Sequence, residues 1–140
     1  MRVKIWAVAA TLMLCSMGSA WAQGDKAETP AVIAVKFHAD WCGSCKAMGP
    51  VFEELQAKYD TQPVLFVTLD HTREFNRRQS QYLAKSLGLH KIWAANGGKT
   101  GFILLIDGQS GEVVRKLTRE HDIKKMGAAL LESVQSAAKS

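Results

Sequence analysis

With 140 residues the chain has room for one domain and one core, because domains commonly run to about 100–150 residues, and a second domain is not expected. The 18 basic and 13 acidic side chains give a formal charge of +5, which is only mildly basic. No polybasic run with interleaved aromatics occurs, so nucleic acid is not an expected partner; Arg73, Arg77 and Arg78 read as the solvated face of a helix.

The chain begins with Arg2 and Lys4, an uncharged apolar run from Ile5 to Leu14, and small and polar residues ending in Ala20-Trp21-Ala22. This pattern predicts a cleavable secretory signal peptide over residues 1–22. The alternative is a membrane-spanning anchor, but the apolar run is well short of the roughly 20 residues a spanning helix needs. Cys15 follows Leu14, where a lipobox like the known bacterial ones has a small residue, so Cys15 reads as part of the leader. The mature chain keeps Cys42 and Cys45, both in one motif, and therefore has no structural disulfide network.

Residues 23–30 are polar, end in Pro30 and read as a flexible lead-in; residues 31–140 form the domain. The β-branched, almost wholly apolar run Val32 to Phe37 predicts a central strand covered on both faces, with Lys36 as the exception. Met48, Val51, Phe52, Leu55 and Tyr59 recur at spacings of three and four and predict a helix to about Tyr59, bent at Pro50. Val64 to Leu69 predicts a second buried strand that closes a parallel βαβ unit.

Phe75, Gln79, Tyr82, Leu83 and Leu87 predict a further amphipathic helix, with Thr72 as N-cap and Gly88 as its C-terminal cap. The stretch from Leu89 to Gly101 has no regular pattern and reads as a long connection of the kind that often carries function. Gly101 to Ile106 and Glu112 to Leu117 predict an antiparallel hairpin turning at Asp107-Gly108. Ile123, Met126, Leu130, Val134 and Ala137 mark a closing helix. The order β-α-β-α-β-β-α predicts an α/β fold, a central mixed sheet with helices on both faces.

Between the first strand and the first helix lies Phe37-His38-Ala39-Asp40-Trp41-Cys42-Gly43-Ser44-Cys45-Lys46. Two thiols separated by two residues at a helix start lie about one turn apart, close enough for a reversible disulfide. The leading cysteine also meets unpaired N–H groups and the positive end of the helix dipole, which favour thiolate over thiol. Cys42 is therefore the expected nucleophile, and Cys45, deeper in the helix, the resolving thiol.

Trp41-Cys42-Gly43-Ser44-Cys45-Lys46 with Pro50 resembles the active site of the thioredoxin superfamily, Trp-Cys-Gly-Pro-Cys followed by lysine and, four residues later, proline. Phe37-His38-Ala39-Asp40 is also similar to the redox domain at the C-terminal end of the membrane reductase that carries electrons to the bacterial periplasm. The resemblance extends in element order over about residues 31–138. It implies a thioredoxin-like fold and a periplasmic thiol–disulfide oxidoreductase of the protein-disulfide reductase or isomerase type, with no bound cofactor and no metal. Its implied partners are protein thiols and disulfides and an upstream redox partner, a membrane electron donor among the candidates, met by a monomer.

Three positions depart from the family pattern. Lys36 stands where many thioredoxins carry a buried acid, and has two readings: a lysine that snorkels to the surface, or a charge close to the dithiol that lowers thiol pKa values. Thr100 aligns with the family's cis-proline; its peptide is expected to be trans, and Lys99 and Thr100 are the residues whose backbone would meet an extended substrate. Ser44 replaces the proline between the cysteines, which shifts the potential within the roughly −270 to −120 mV that such dipeptides span. Trp41 and Gly43 complete the motif as tuning residues, and His38, four before Cys42, either flanks the site and titrates near neutrality or is an exposed strand-end residue.

His71, His90 and His121 have no metal-ligand spacing and read as loop residues, and Trp93 either packs the long connection or forms a docking surface. Two rival functions use the same cysteines: a periplasmic protein that holds copper or zinc on the thiolates, and a non-catalytic binding module with a structural disulfide.

Overall fold

The computed structural model describes residues 29–139, so the predicted signal peptide and most of the lead-in lie outside the described residues. Strand β1 (Val32–His38) runs through the middle of a four-stranded sheet of order β2-β1-β3-β4, with β2 spanning Val64–Asp70, β3 Phe102–Asp107 and β4 Val113–Thr118. β1 pairs in parallel with β2 and antiparallel with β3, and β3 with β4 forms the antiparallel hairpin. The helices are α1 (Gly43–Lys58), α2 (Glu74–Ser86), α3 (His90–Asn96) and α4 (Ile123–Ala137). This is a thioredoxin-like mixed sheet with helices on both faces, as the element order predicts.

Alternation along β1 divides the core in two. Val32 and Ala34 pack with Met48, Phe52 and Leu55 of α1 and Met126, Leu130 and Val134 of α4. Ile33, Val35 and Phe37 point the other way, to Val67 and Leu69 of β2, Ala84 of α2 and Leu89. Each large apolar side chain so removed from water contributes about 1.5–3 kcal/mol. This burial holds β1, and hence the loop carrying the cysteines, between two packed layers.

Four expectations change. β2 is an edge strand rather than a buried one: Val67 and Leu69 are buried, but Leu65 and Thr68 are exposed because β2 has β1 alone as a lateral partner among the described residues. α2 turns a different face inward, burying Ser80 and Ala84 and leaving Phe75 and Tyr82 61% and 74% exposed. Its N-cap is Arg73, without a side-chain hydrogen bond. Thr72 instead donates its N–H and hydroxyl to the Asp70 carboxylate and accepts from Asp40 N–H at 3.0 Å. The connection after Leu89 contains the helix α3, closed by Gly97 in the left-handed region at φ +48°. Gly88, at φ +72°, takes the place expected of it after α2, and Pro50 lies within one continuous α1.

Candidate active site

α1 starts where the chain leaves β1 through a turn closed by Cys42 N–H to Ala39 carbonyl, 3.1 Å. Cys42 is the N-cap residue of α1, in extended conformation, and its Sγ accepts the Cys45 N–H at 3.2 Å. That sulfur thus takes the capping role usually filled by a serine or aspartate oxygen. The two cysteines are joined as a disulfide across one helical turn, with Cα atoms 5.2 Å apart. Cys42 is partly exposed, whereas Cys45 is 2% exposed with its Sγ 3.7 Å from the Phe37 carbonyl oxygen.

This arrangement favours negative charge on Cys42 when the pair is reduced. The helix N-terminus presents unpaired N–H groups and the positive end of its dipole, and no acidic side chain lies in the first turn to oppose them. Trp41 is 65% exposed beside the pair, Gly43 opens the helix toward solvent, and Ser44 is half-buried.

Lys36 sends its Nζ to 4.7 Å from the centre of the Phe52 ring and is partly buried. Burial lowers its pKa, with the nearby Glu53 and Asp70 acting in the opposite direction. His38 ends β1, with Nε2 3.1 Å from Asp40 Oδ1, so it is tied to the loop that leads into the cysteines.

Lys99 is exposed and donates its N–H to Asn96 carbonyl at 2.8 Å; Thr100 follows through a trans peptide, and no cis peptide occurs among the described residues. Next to them stands a residue outside the motif. Gly101, at φ +88°, donates its N–H to Phe37 carbonyl at 2.9 Å and meets the dithiol loop with a bare α-carbon. A β-carbon here would stand 2.8 Å from Ser44 Cβ and 3.3 Å from Cys42 Sγ. Its signal in the sequence is a glycine immediately before a strand, a position that permits close backbone approach.

His71 is not a surface loop residue. It is 5% exposed, stacked 4.4 Å from Trp93 and 6.1 Å from Phe37 between ring centres, and neither ring nitrogen has a hydrogen-bond partner. Burial lowers its pKa, Arg77 adds to this and Asp70 opposes it. Trp93 accordingly packs the connection onto the domain. His71 N–H also bonds the His38 carbonyl at 2.8 Å, joining the ends of β1 and β2. No group of three or more His, Cys, Asp or Glu that could hold a metal occurs among the described residues.

The thioredoxin family model matches residues 20–86, which contain β1, the cysteine pair, α1, β2 and α2. The chain belongs to the thioredoxin superfamily. It is 32% identical over 111 residues to the chloroplastic thioredoxin F of Oryza sativa subsp. japonica, covering 79% of this chain and 46% of that protein. It is 50% identical over 41 residues to protein disulfide-isomerase 1 of Caenorhabditis elegans, covering 29% of this chain and 8% of that protein. The matched segments therefore span less than half the length of these two curated relatives. Among solved structures, the reduced Schistosoma mansoni thioredoxin pre-protein aligns with a TM-score of 0.47 at 24% identity, covering 75% of this chain and 81% of that one. For this thioredoxin-like chain, the redox pair of the superfamily is Cys42 and Cys45.

Proposed function

We propose that the protein is an exported thiol–disulfide oxidoreductase that exchanges electrons with protein thiols. The observation that carries this reading is the asymmetry of the pair: Cys42, partly exposed, caps a helix with its sulfur, and Cys45 is buried one turn behind it. In the reducing direction, the Cys42 thiolate attacks one sulfur of a partner disulfide, forming a mixed disulfide and releasing the partner's other sulfur as a thiolate. Cys45, deprotonated, then attacks Cys42 Sγ. The Cys42–Cys45 disulfide forms, the second partner sulfur leaves, and two electrons have passed to the partner. The relatives named thioredoxin and protein disulfide-isomerase support this chemistry. The reductase or isomerase direction is proposed on the motif's resemblance.

Export rests on the basic start, apolar run and Ala20-Trp21-Ala22 ending of residues 1–22. In the periplasm a reductase needs an electron source, so an upstream thiol donor, in the membrane or beside it, is part of the proposal.

Replacing Cys45→Ala tests the activity. Without the resolving thiol, mixed disulfides on Cys42 should accumulate and resolve only with added dithiothreitol, while Cys42→Ser should form none. Equal trapping by both variants, or no insulin-disulfide reduction by the unmodified chain, would overturn the reading. Mass spectrometry of protein recovered from the periplasm should find Gln23 at its start; an intact Met1 in that fraction would refute cleavage there.

A further inference from the structure

Resting on the functional reading above, we propose that Gly101 is a positioning residue for Cys42, its bare α-carbon keeping open a side of Sγ that any side chain would close. The residue lies outside the Cys-x-x-Cys motif and 59 positions along the chain from Cys42, yet β3 and β1 bring the two together. Gly101 N–H to Phe37 carbonyl, 2.9 Å, fixes the start of β3 against the end of β1. The same carbonyl oxygen lies 3.7 Å from Cys45 Sγ. One backbone oxygen thus anchors the glycine and lies beside the buried sulfur.

The geometry leaves little room. A β-carbon at 101 would be 3.3 Å from Cys42 Sγ, and 2.8 Å from Ser44 Cβ, a separation that real β-carbons do not adopt. Either Ser44 and Cys42 would move, or β3 would detach from β1. Sulfur exchange is sensitive to both, because the incoming sulfur must reach Cys42 and Cys45 must later reach the same atom. Glycine at φ +88° meets the backbone requirement and the space requirement together.

Another glycine separates these two requirements. Gly98 has nearly the same φ, +86°, but a β-carbon there has nothing within 4 Å. Gly98→Ala therefore carries the backbone strain alone, and Gly101→Ala carries strain plus the contacts with the dithiol loop. Adding Ser44→Gly to Gly101→Ala removes the 2.8 Å contact and leaves the 3.3 Å one with the sulfur.

The test uses the full chain with Cys45→Ala, so that Cys42 alkylation by iodoacetamide is followed by peptide mass spectrometry across pH. Misplacing a reacting group by about 1 Å can cost a hundredfold in rate, and the smaller shift required here should lower the alkylation plateau of Gly101→Ala about tenfold. The apparent pKa read from the same curve should not move, Gly98→Ala should stay within about twofold of the parent, and the double variant should regain folding but not the plateau.

Equal plateaus for Gly101→Ala and Gly98→Ala would overturn the proposal. So would full recovery in the double variant, which would assign the effect to Ser44, or a displaced pKa at an unchanged plateau, which would assign it to charge. If both Gly101 variants fail to fold while Gly98→Ala folds, the glycine serves the fold and the proposal is lost. Failure of the unmodified chain to reduce insulin would refute the functional reading but leave the alkylation result to judge Gly101 by itself.

Discussion

His71 has an imidazole enclosed by Trp93 and Phe37, and both of its ring nitrogens are without hydrogen-bond partners. A neutral ring tolerates this enclosure better than a cation does, and burial lowers the pKa from its ordinary 6.5, with Arg77 of α2 adding to the effect and Asp70 of β2 opposing it. The unfolded chain therefore binds this proton more tightly than the folded one. Stability from His71 is complete above pH 6.5 and is lost as the pH falls from there toward the lowered folded-state value, where the loss levels off. His71→Phe keeps the stacked geometry and removes the titration. Urea unfolding at pH 7.5 and 5.5 should show the parent losing more stability than His71→Phe over that interval; identical losses would show that the enclosure does not govern protonation.

Helix α2 shows most clearly how an element can be found and yet turned wrongly. Its apolar residues Phe75, Tyr82 and Leu83 lie at helical spacing, and from periodicity alone they define the buried face. The structure exposes them because Ser80 is needed inside: its Oγ accepts Asp70 N–H at 2.7 Å and donates to Asp70 carbonyl at 3.1 Å, tying the helix to the end of β2. Asn76 adds a bond from Nδ2 to Asp70 Oδ2 at 2.9 Å. A core face built from hydrogen bonds to a distant strand end has no hydrophobic period, so the sequence does not announce it. Ser80→Ala should therefore cost about 1 kcal/mol or more, the penalty for leaving a partly buried backbone N–H without this partner. Tyr82→Ala should cost less than about 0.5 kcal/mol, as at other exposed positions. Chemical denaturation of the two variants checks the order, and a costlier Tyr82→Ala would restore the periodic assignment. Helix α3 was hidden for a related reason: Leu89, Ile92 and Trp93 are placed by packing onto the β1–β2 side of the sheet, with too few turns for a periodic signal.

Across the whole molecule, the legible features are those encoded within a few adjacent residues: the Cys42/Cys45 pair, the β1 run, the hairpin and the apolar stripe of α4. Features created by topology are not. Gly101 acquires its neighbours only when β3 pairs with β1, and β2 becomes an edge only when the strand order is known. Sequence from Val64 to Leu69 contains no charge, whereas the opposite edge strand, β4, carries Arg115 and Lys116. Natural sheets guard edges with charged side chains or proline, because free N–H and C=O groups recruit other strands. β2 has Pro63 just before its first residue and Asp70 as its last, with no such guard in between. We therefore expect β2 to be where unwanted association of the proposed monomer begins. Leu65, 37% exposed on this edge, is the position at which to test it. In Leu65→Lys the aliphatic stem can still lie against Leu87 in the apolar groove that the two leucines share, with the ammonium in water. Stability should change by less than about 1 kcal/mol, while light scattering on heating should show slower aggregation at equal concentration. Unchanged scattering at matched stability would place the weak edge elsewhere, with the exposed Val113 and Val114 of β4 the next residues to examine.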